Sequence, residues 1–434
     1  MSRRPRIAIS LGDPCGIGPE LLLRSLAILA GWAEVVVVGP RAGVDLLLDT
    51  PERTVDWRWL DAPSPPPPGF EGRISELETR SIKMPDEPAG RALWLDPTPE
   101  ITAADLRLGE GSAASGFATV EAIRQAAQLA LGGTVDALVT LPMAKAAAHL
   151  AGYRIPGHTE FLQELSSSPL TRMAFVSPSL SVVLHTVHQS LRSVVEDLDA
   201  EAVAQTLAFA ADRFIQLTGK RDLRVALCAL NPHAGENGAF GDEESLLHEA
   251  MVLAEASFMA IGRDAASPFA EVPSPFHDLP EEGAGASFQD EAGLHTVEMA
   301  SAGLEVVTTG PGTHKPHRHA PQFFGPFPSD SLFHRAVQGE FDLVVALYHD
   351  QGLIPVKVLE PERAVNLTLG LPFIRTSPDH GTAFDKAGRW ISNPTNFLEA
   401  AALAIRLAGR AQHQPWNAEV ARLTPENPPW VSRT

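Results

Sequence analysis

The chain has 434 residues, 44% of them hydrophobic and 20% charged, an ordinary globular composition with enough length for two domains. A formal charge of −19 at pH 7, without clustered Lys and Arg, disfavours nonspecific nucleic-acid binding, and no run is apolar over the span a membrane helix needs. Cys15 and Cys228 stand far apart and offer neither a disulfide framework nor metal-type CxxC spacing, so a reducing cytoplasm is expected.

The basic N-terminus MSRRPRIAIS runs into a strand rather than a signal core, and no export signal is expected. RIAIS, the helical PELLLRSLAILAG, EVVVVG and a helix from Arg41 then alternate, the pattern of βαβ units around a buried, mostly parallel sheet. The fold class is α/β. DAPSPPPPG (61–69) predicts a loop, because each proline fixes φ and removes a donor. SAASGFATVEAIRQAAQLAL predicts a long helix, VDALVTLP a strand and AKAAAHLAG a further helix; SVVLHT, RVALCAL and DLVVALYHD are later strands. Residues 256–322 read as an insertion of Pro- and Gly-rich loops flanking one helix-like piece, QDEAGLHTVEMASAGL. The expected division is a first domain of 1–140 with 365–434 and a second of 141–364 carrying the insertion.

LGDPCGIGPE places glycines between a strand and a helix, yet Leu21 stands where a dinucleotide fingerprint needs its third glycine, and Glu34 precedes the second strand instead of ending it. A tight strand-to-helix turn is the expected role, with Pro19 at the helix start. Four stretches carry histidines: His158 in PGHTEFL, His185 and His188 in HTVHQSL, His233 in NPHAGENG and His349 in LYHDQG. One such histidine alone is more often a satisfied polar residue than a ligand. Several neutral imidazoles together suit a divalent ion acting as a Lewis acid, but their wide spacing leaves convergence to the tertiary structure. Lys357, Asn366 and Arg375 follow among apolar residues and glycines, where cations suit a phosphate or carboxylate. Thr376 to Thr382 read as a loop.

GDPCGIGPE, LPMAK, GHTEF, TVHQSL, NPHAGENG, GPFPSDSLF, YHDQG and NLTLGLPFIRTSPDHGTAFDKAG occur in one order over most of residues 6–408. Together they resemble the 4-hydroxythreonine-4-phosphate dehydrogenase (PdxA) family of pyridoxal phosphate biosynthesis. The resemblance implies a two-domain α/β/α fold like that of isocitrate and isopropylmalate dehydrogenases, with NAD or NADP bound without the usual glycine fingerprint. It implies that His188, His233 and His349 bind one divalent metal ion (Zn, Mg or Co), and that His158, Thr159, Lys357, Asn366 and Arg375 hold a small phosphorylated substrate. It further implies a homodimer whose site is shared across the interface, so that one metal ligand comes from the partner chain.

In the implied reaction an alcohol is oxidised by nicotinamide and the β-keto acid loses CO2; Asp330, Asp350 and Lys357 are the candidates to take the hydroxyl proton. The alternatives are a relative oxidising D-threonate or D-erythronate 4-phosphate or a cis-dihydrodiol carboxylate, and a noncatalytic metal- or metabolite-binding protein. Departures from the family pattern are Cys15 for alanine, Gln189-Ser190 for Leu-Pro after His188, and the insertion, whose His314, His317 and His319 read as a solvated loop.

Overall fold

The computed structural model describes residues 4–60, 78–84, 91–220, 222–261, 285–290, 293–300, 303–308 and 320–409. The polyproline segment and His314, His317 and His319 lie outside them. In chain order the elements are β1 (Arg6–Ser10), α1 (Gly18–Trp32), β2 (Glu34–Val38), the single turn α2 (Ala42–Asp45), β3 (Arg58–Leu60), β4 (Glu78–Lys83), β5 (Arg91–Asp96), α3 (Ala113–Leu131), β6 (Ala137–Thr140), α4 (Lys145–Leu150) and α5 (His158–Ser166). There follow β7 (Arg172–Val176), β8 (Ser181–Leu184), α6 (Leu191–Glu196), α7 (Ala200–Thr218), β9 (Arg224–Cys228), α8 (Glu244–Ile261), β10 (Gly285–Asp290), β11 (Gly293–Ala300) and β12 (Gly303–Thr308). The last are β13 (Gln322–Phe327), α9 (Ser329–Val337), β14 (Leu343–Ala346), α10 (His349–Leu359), β15 (Val365–Leu369), β16 (Ile374–Pro378) and α11 (Thr395–Gly409).

Two compact units result: one runs to Thr171 and resumes at Glu362, the other spans Arg172–Pro361. The first division thus falls at Thr171 instead of residue 140, and His158 and Thr159 belong to the first unit.

In the first unit the strand order is β15-β16-β6-β1-β2-β5-β4-β3. The neighbours from β16 through β5 are parallel, and antiparallel strands close both ends. Ala8, Val36, Val38 and Leu138 share a core with Ile123 of α3 and Leu162 of α5. The alternate residues Ile7, Ile9, Val37 and Val139 are also buried, so both faces are covered, as near-continuous apolar strands require. Ser112 caps α3 by accepting from the Ser115 N–H.

The glycines of the opening motif serve close backbone approach. Gly12 has φ +72°, and a Cβ there would stand 2.4 Å from the Pro142 carbonyl oxygen. Asp13 N–H donates to that same oxygen at 2.9 Å, tying the loop after β1 to the loop after β6.

In the second unit the order is β13-β9-β14-β8-β7, parallel from β13 to β8, with β7 antiparallel to β8. Asp199 caps α7 at its N-terminus, and Gly219 ends it in the left-handed conformation.

Three readings are corrected. The helix expected from Asp290 to Leu304 is instead part of an antiparallel meander, β10-β11-β12. A helix would have to absorb Gly293 and Gly303, whereas Thr296, Val297, Val306 and Val307 suit strands. Thr376, Ser377 and Pro378 belong to β16, because the ladders to β15 and β6 override their turn propensity. The helix from Arg41 is only one turn long.

Asp13 is buried, and burial raises its pKa from 3.8 to about 6 against the opposing hydrogen bonds from the Cys15 N–H and the Ser115 hydroxyl. The folded chain therefore holds this proton more tightly than the unfolded one. The associated stability is complete below pH 4 and is lost as pH rises to 6. Relative to Asp13→Asn, the wild-type protein is expected to lose about 1–3 kcal/mol over that interval, read from urea midpoints at each pH.

Candidate active site

The first unit encloses a buried cation. Arg375, 2% exposed, lies on β16 between β15 and β6. Its Nε and Nη2 donate to Thr140 Oγ1 at 3.1 and 2.6 Å, and Nη1 donates to Thr368 Oγ1 at 2.9 Å. Among the described residues the guanidinium is thus held by hydroxyls, without a carboxylate hydrogen bond, and Glu160 acts on it through space. Burial pulls its pKa down to about 10, so it remains a cation at neutral pH. A buried charge without a hydrogen-bonded counter-ion is costly, and an incoming carboxylate or phosphate offsets that cost. Asn366 pairs with Ser377 and Thr368 with Arg375 across the β15–β16 ladder, so Asn366 lies on the Arg375 face. Asn366 Oδ1 is buried without a hydrogen-bond partner.

His158 begins α5 and presents a second such atom: its Nε2 is buried and unbonded. Desolvation first, then the charges of Arg375 and Lys145, hold its pKa well below 6.5, so the ring is neutral at pH 7. The Thr159 side chain, next on the helix, also makes no hydrogen bond among the described residues.

The second unit brings two of the three expected metal ligands together. β8 and β14 are parallel neighbours, and the chain leaving β8 stays tied to β14: His185 N–H donates to Ala346 O at 2.8 Å, and the Thr186 hydroxyl to Leu347 O at 2.7 Å. The His188 and His349 rings consequently stand 6.0 Å apart between centroids. Two imidazoles on one tetrahedral ion stand about 5 Å apart, close to the observed spacing. His349 Nδ1 lies 2.7 Å from Asp350 Oδ1, the carboxylate–histidine arrangement that orients a ligand ring and leaves Nε2 to the ion.

His233 occupies the turn after β9 at φ 55°, its exposed ring 6.1 Å from that of Phe240. Among the described residues of one chain, no three His, Cys, Asp or Glu side chains form a metal-binding group. The donor set fits a divalent ion once a further ligand is supplied. Lys357 lies two turns along α10 and is exposed. Asp330, in the first turn of α9, accepts from the Ser331 N–H at 2.8 Å.

The family profile described as pyridoxal phosphate biosynthetic protein PdxA matches residues 71–269 and 298–404. The chain belongs to the PdxA family. It is 33% identical to the 4-hydroxythreonine-4-phosphate dehydrogenase of Trichlorobacter lovleyi over 93% of this chain and 98% of that protein. It is likewise 33% identical to the D-threonate 4-phosphate dehydrogenase of Cupriavidus necator, over 94% and 98% of the two chains. The crystal structure of 4-hydroxythreonine-4-phosphate dehydrogenase from Klebsiella pneumoniae is similar at a TM-score of 0.67, with 32% identity, covering 93% of this chain and 98% of that one.

Within this PdxA chain, sequence reasoning singled out Arg375, Asn366 and His158 but missed Thr140 and Thr368. Both are ordinary strand residues, and only the β15-β16-β6 order shows that their hydroxyls meet the guanidinium. Thr140→Val leaves two donors of a buried cation without their acceptor and is expected to destabilise the protein by about 1–3 kcal/mol, with Thr140→Ser near wild type in urea unfolding.

Proposed function

We propose that the chain is an NAD(P)- and divalent-metal-dependent dehydrogenase that oxidises 4-phosphooxy-L-threonine to 2-amino-3-oxo-4-phosphooxybutanoate. This product loses CO2 to give 3-amino-2-oxopropyl phosphate, a step in pyridoxal phosphate biosynthesis. The observation that carries this reading is the Arg375 site: a buried cation that among the described residues is bonded only to hydroxyls, beside buried unbonded atoms of His158 and Asn366, suits an anionic, hydroxyl-bearing substrate. The relatives named for 4-hydroxythreonine 4-phosphate support this choice. Those named for D-threonate 4-phosphate match equally well and support a second reading, oxidation of that substrate at the same site.

Arg375 binds an anionic end of the substrate in a fixed orientation, and neutral His158, Thr159 and Asn366 hydrogen-bond its polar groups. His188, His349 and His233 would hold the divalent ion, zinc, magnesium or cobalt, with the third imidazole drawn from a partner chain. The ion would supply Lewis acidity at the reacting hydroxyl, and NAD or NADP would supply the hydride acceptor. Asp350 orients His349. Asp330 and Lys357 then stand as candidates for taking the hydroxyl proton, and Lys357 also binds substrate.

A homodimer is supported by apolar surface flanking the histidines. Leu191 on α6 is 64% exposed, and Ile354 and Val358 on α10 are 59% and 75% exposed. We place the enzyme in the cytoplasm, where the buried free thiols of Cys15 and Cys228 stay reduced.

Purified protein with a divalent ion is expected to reduce NAD or NADP on addition of 4-phosphooxy-L-threonine. Turnover with D-threonate 4-phosphate alone selects the second reading, and turnover with neither rejects both. Separately, Asp350→Asn is expected to weaken metal affinity about 10–100-fold by calorimetric titration, because the His349 ring loses its orienting carboxylate.

A further inference from the structure

The turn that carries His233 is built in a conformation that L residues avoid. From His233 to Asn237 five successive residues hold positive φ, at 55°, 52°, 76°, 44° and 57°. Glycine adopts this region freely and asparagine visits it, but His233, Ala234 and Glu236 each bring a Cβ against the following carbonyl. Elsewhere among the described residues Ser167, Ala383 and Trp390 take it one at a time. A run of five needs a hold from outside the turn.

That hold is Glu244, the first residue of α8 and 6% exposed. Its Oε1 accepts the Asn231 N–H at 2.8 Å and its Oε2 accepts Asn231 Nδ2 at 3.0 Å, so both carboxylate oxygens grip the residue where the turn begins. Gly235, in the middle of the run, closes on the same carboxylate: a Cβ there would stand 2.6 Å from Glu244 Oε2. On the far side the Gly235 carbonyl accepts the N–H groups of Gly238 and Phe240 at 3.0 and 3.1 Å. A buried carboxylate that lost these donors would be costly, so clamp and turn stabilise each other. Glu244 and Gly235 are buried, and His233 is exposed.

Within one chain His233 joins no metal-binding group. A ligand that reaches an ion bound by another chain is aimed by the backbone beneath it, and that backbone has to be rigid. We propose that Glu244 is a positioning residue for His233: its carboxylate holds the left-handed turn that directs the imidazole to the divalent ion. The assignment rests on the metal-dependent reading given above and deepens it by naming what fixes the third ligand.

The test titrates the full-length protein, stripped of metal, with Co2+ and follows both affinity and the visible absorption of the bound ion, which reports ligand number and geometry. His233→Ala sets the scale for loss of this ligand. Glu244→Gln keeps the side-chain size but turns one acceptor into a donor facing Asn231 Nδ2. It is expected to raise the Co2+ Kd about tenfold or more and to shift the absorption toward that of His233→Ala. Ala234→Gly, which lowers the cost of the left-handed conformation, should recover most of that loss in the Glu244→Gln background. Ala234→Val leaves Glu244 in place but puts a β-branched residue at φ 52°, and should weaken Co2+ binding as well. Circular dichroism and urea midpoints show which variants fold, and Ala234→Val carries the test if Glu244→Gln does not. Wild-type Co2+ affinity and absorption in the folded variants overturn the proposal. So does a loss in Glu244→Gln that Ala234→Gly fails to recover, since Glu244 would then act on the protein at large. If His233→Ala binds Co2+ as wild type does, the metal reading of His233 fails and the positioning role with it. If His233→Ala weakens binding while Glu244→Gln and Ala234→Val do not, only the positioning role falls.

Discussion

One buried positive charge constrains the first unit more than any other group. Arg375 sits inside a sheet where water cannot solvate it, and the fold answers with two threonine hydroxyls instead of a carboxylate. Hydroxyls orient the guanidinium without neutralising it, so its field remains available to a ligand and to neighbouring titratable groups. The arrangement demands that β15, β16 and β6 lie side by side in a particular register, since Thr368 and Thr140 come from opposite sides of β16. In the proposed reading, local stability and anion binding draw on the same few atoms.

The second unit works by different chemistry. Its two converging imidazoles arise because β8 and β14 are parallel neighbours whose ends stay bonded to each other, which delivers His188 and His349 from distant points of the chain. Asp350 then selects which nitrogen of His349 faces outward. One chain supplies no complete ligand group among its described residues, and exposed Ile354, Val358 and Leu191 flank the pair. In the proposed reading, a second copy supplies the further ligand and covers that apolar surface.

Much of this architecture was legible in the sequence, for reasons that are local. Strand and helix alternation over β1, α1 and β2, and again over α3 and β6, follows from hydrophobic periodicity, and the failure of the opening glycines as a dinucleotide fingerprint follows from Leu21. Gly12 was expected to make a turn, but that its Cα must pass against the Pro142 carbonyl is a fact of two loops far apart in sequence. Residues 290–304 misled because apolar residues at mixed spacing fit a helix about as well as a strand, and hydrogen bonding between neighbouring segments decided for the meander.

The sequence by itself determined the α/β class, the family, and the residue types available for binding: imidazoles after strands, and cations set among apolar residues and glycines. Only the tertiary structure decided which of those groups meet, that His188 pairs with His349 and that Arg375 is clasped by Thr140 and Thr368. The physical reason is range. Periodicity and turn chemistry act over a few residues, whereas burial, desolvation and charge–charge effects depend on neighbours that strand order alone brings together.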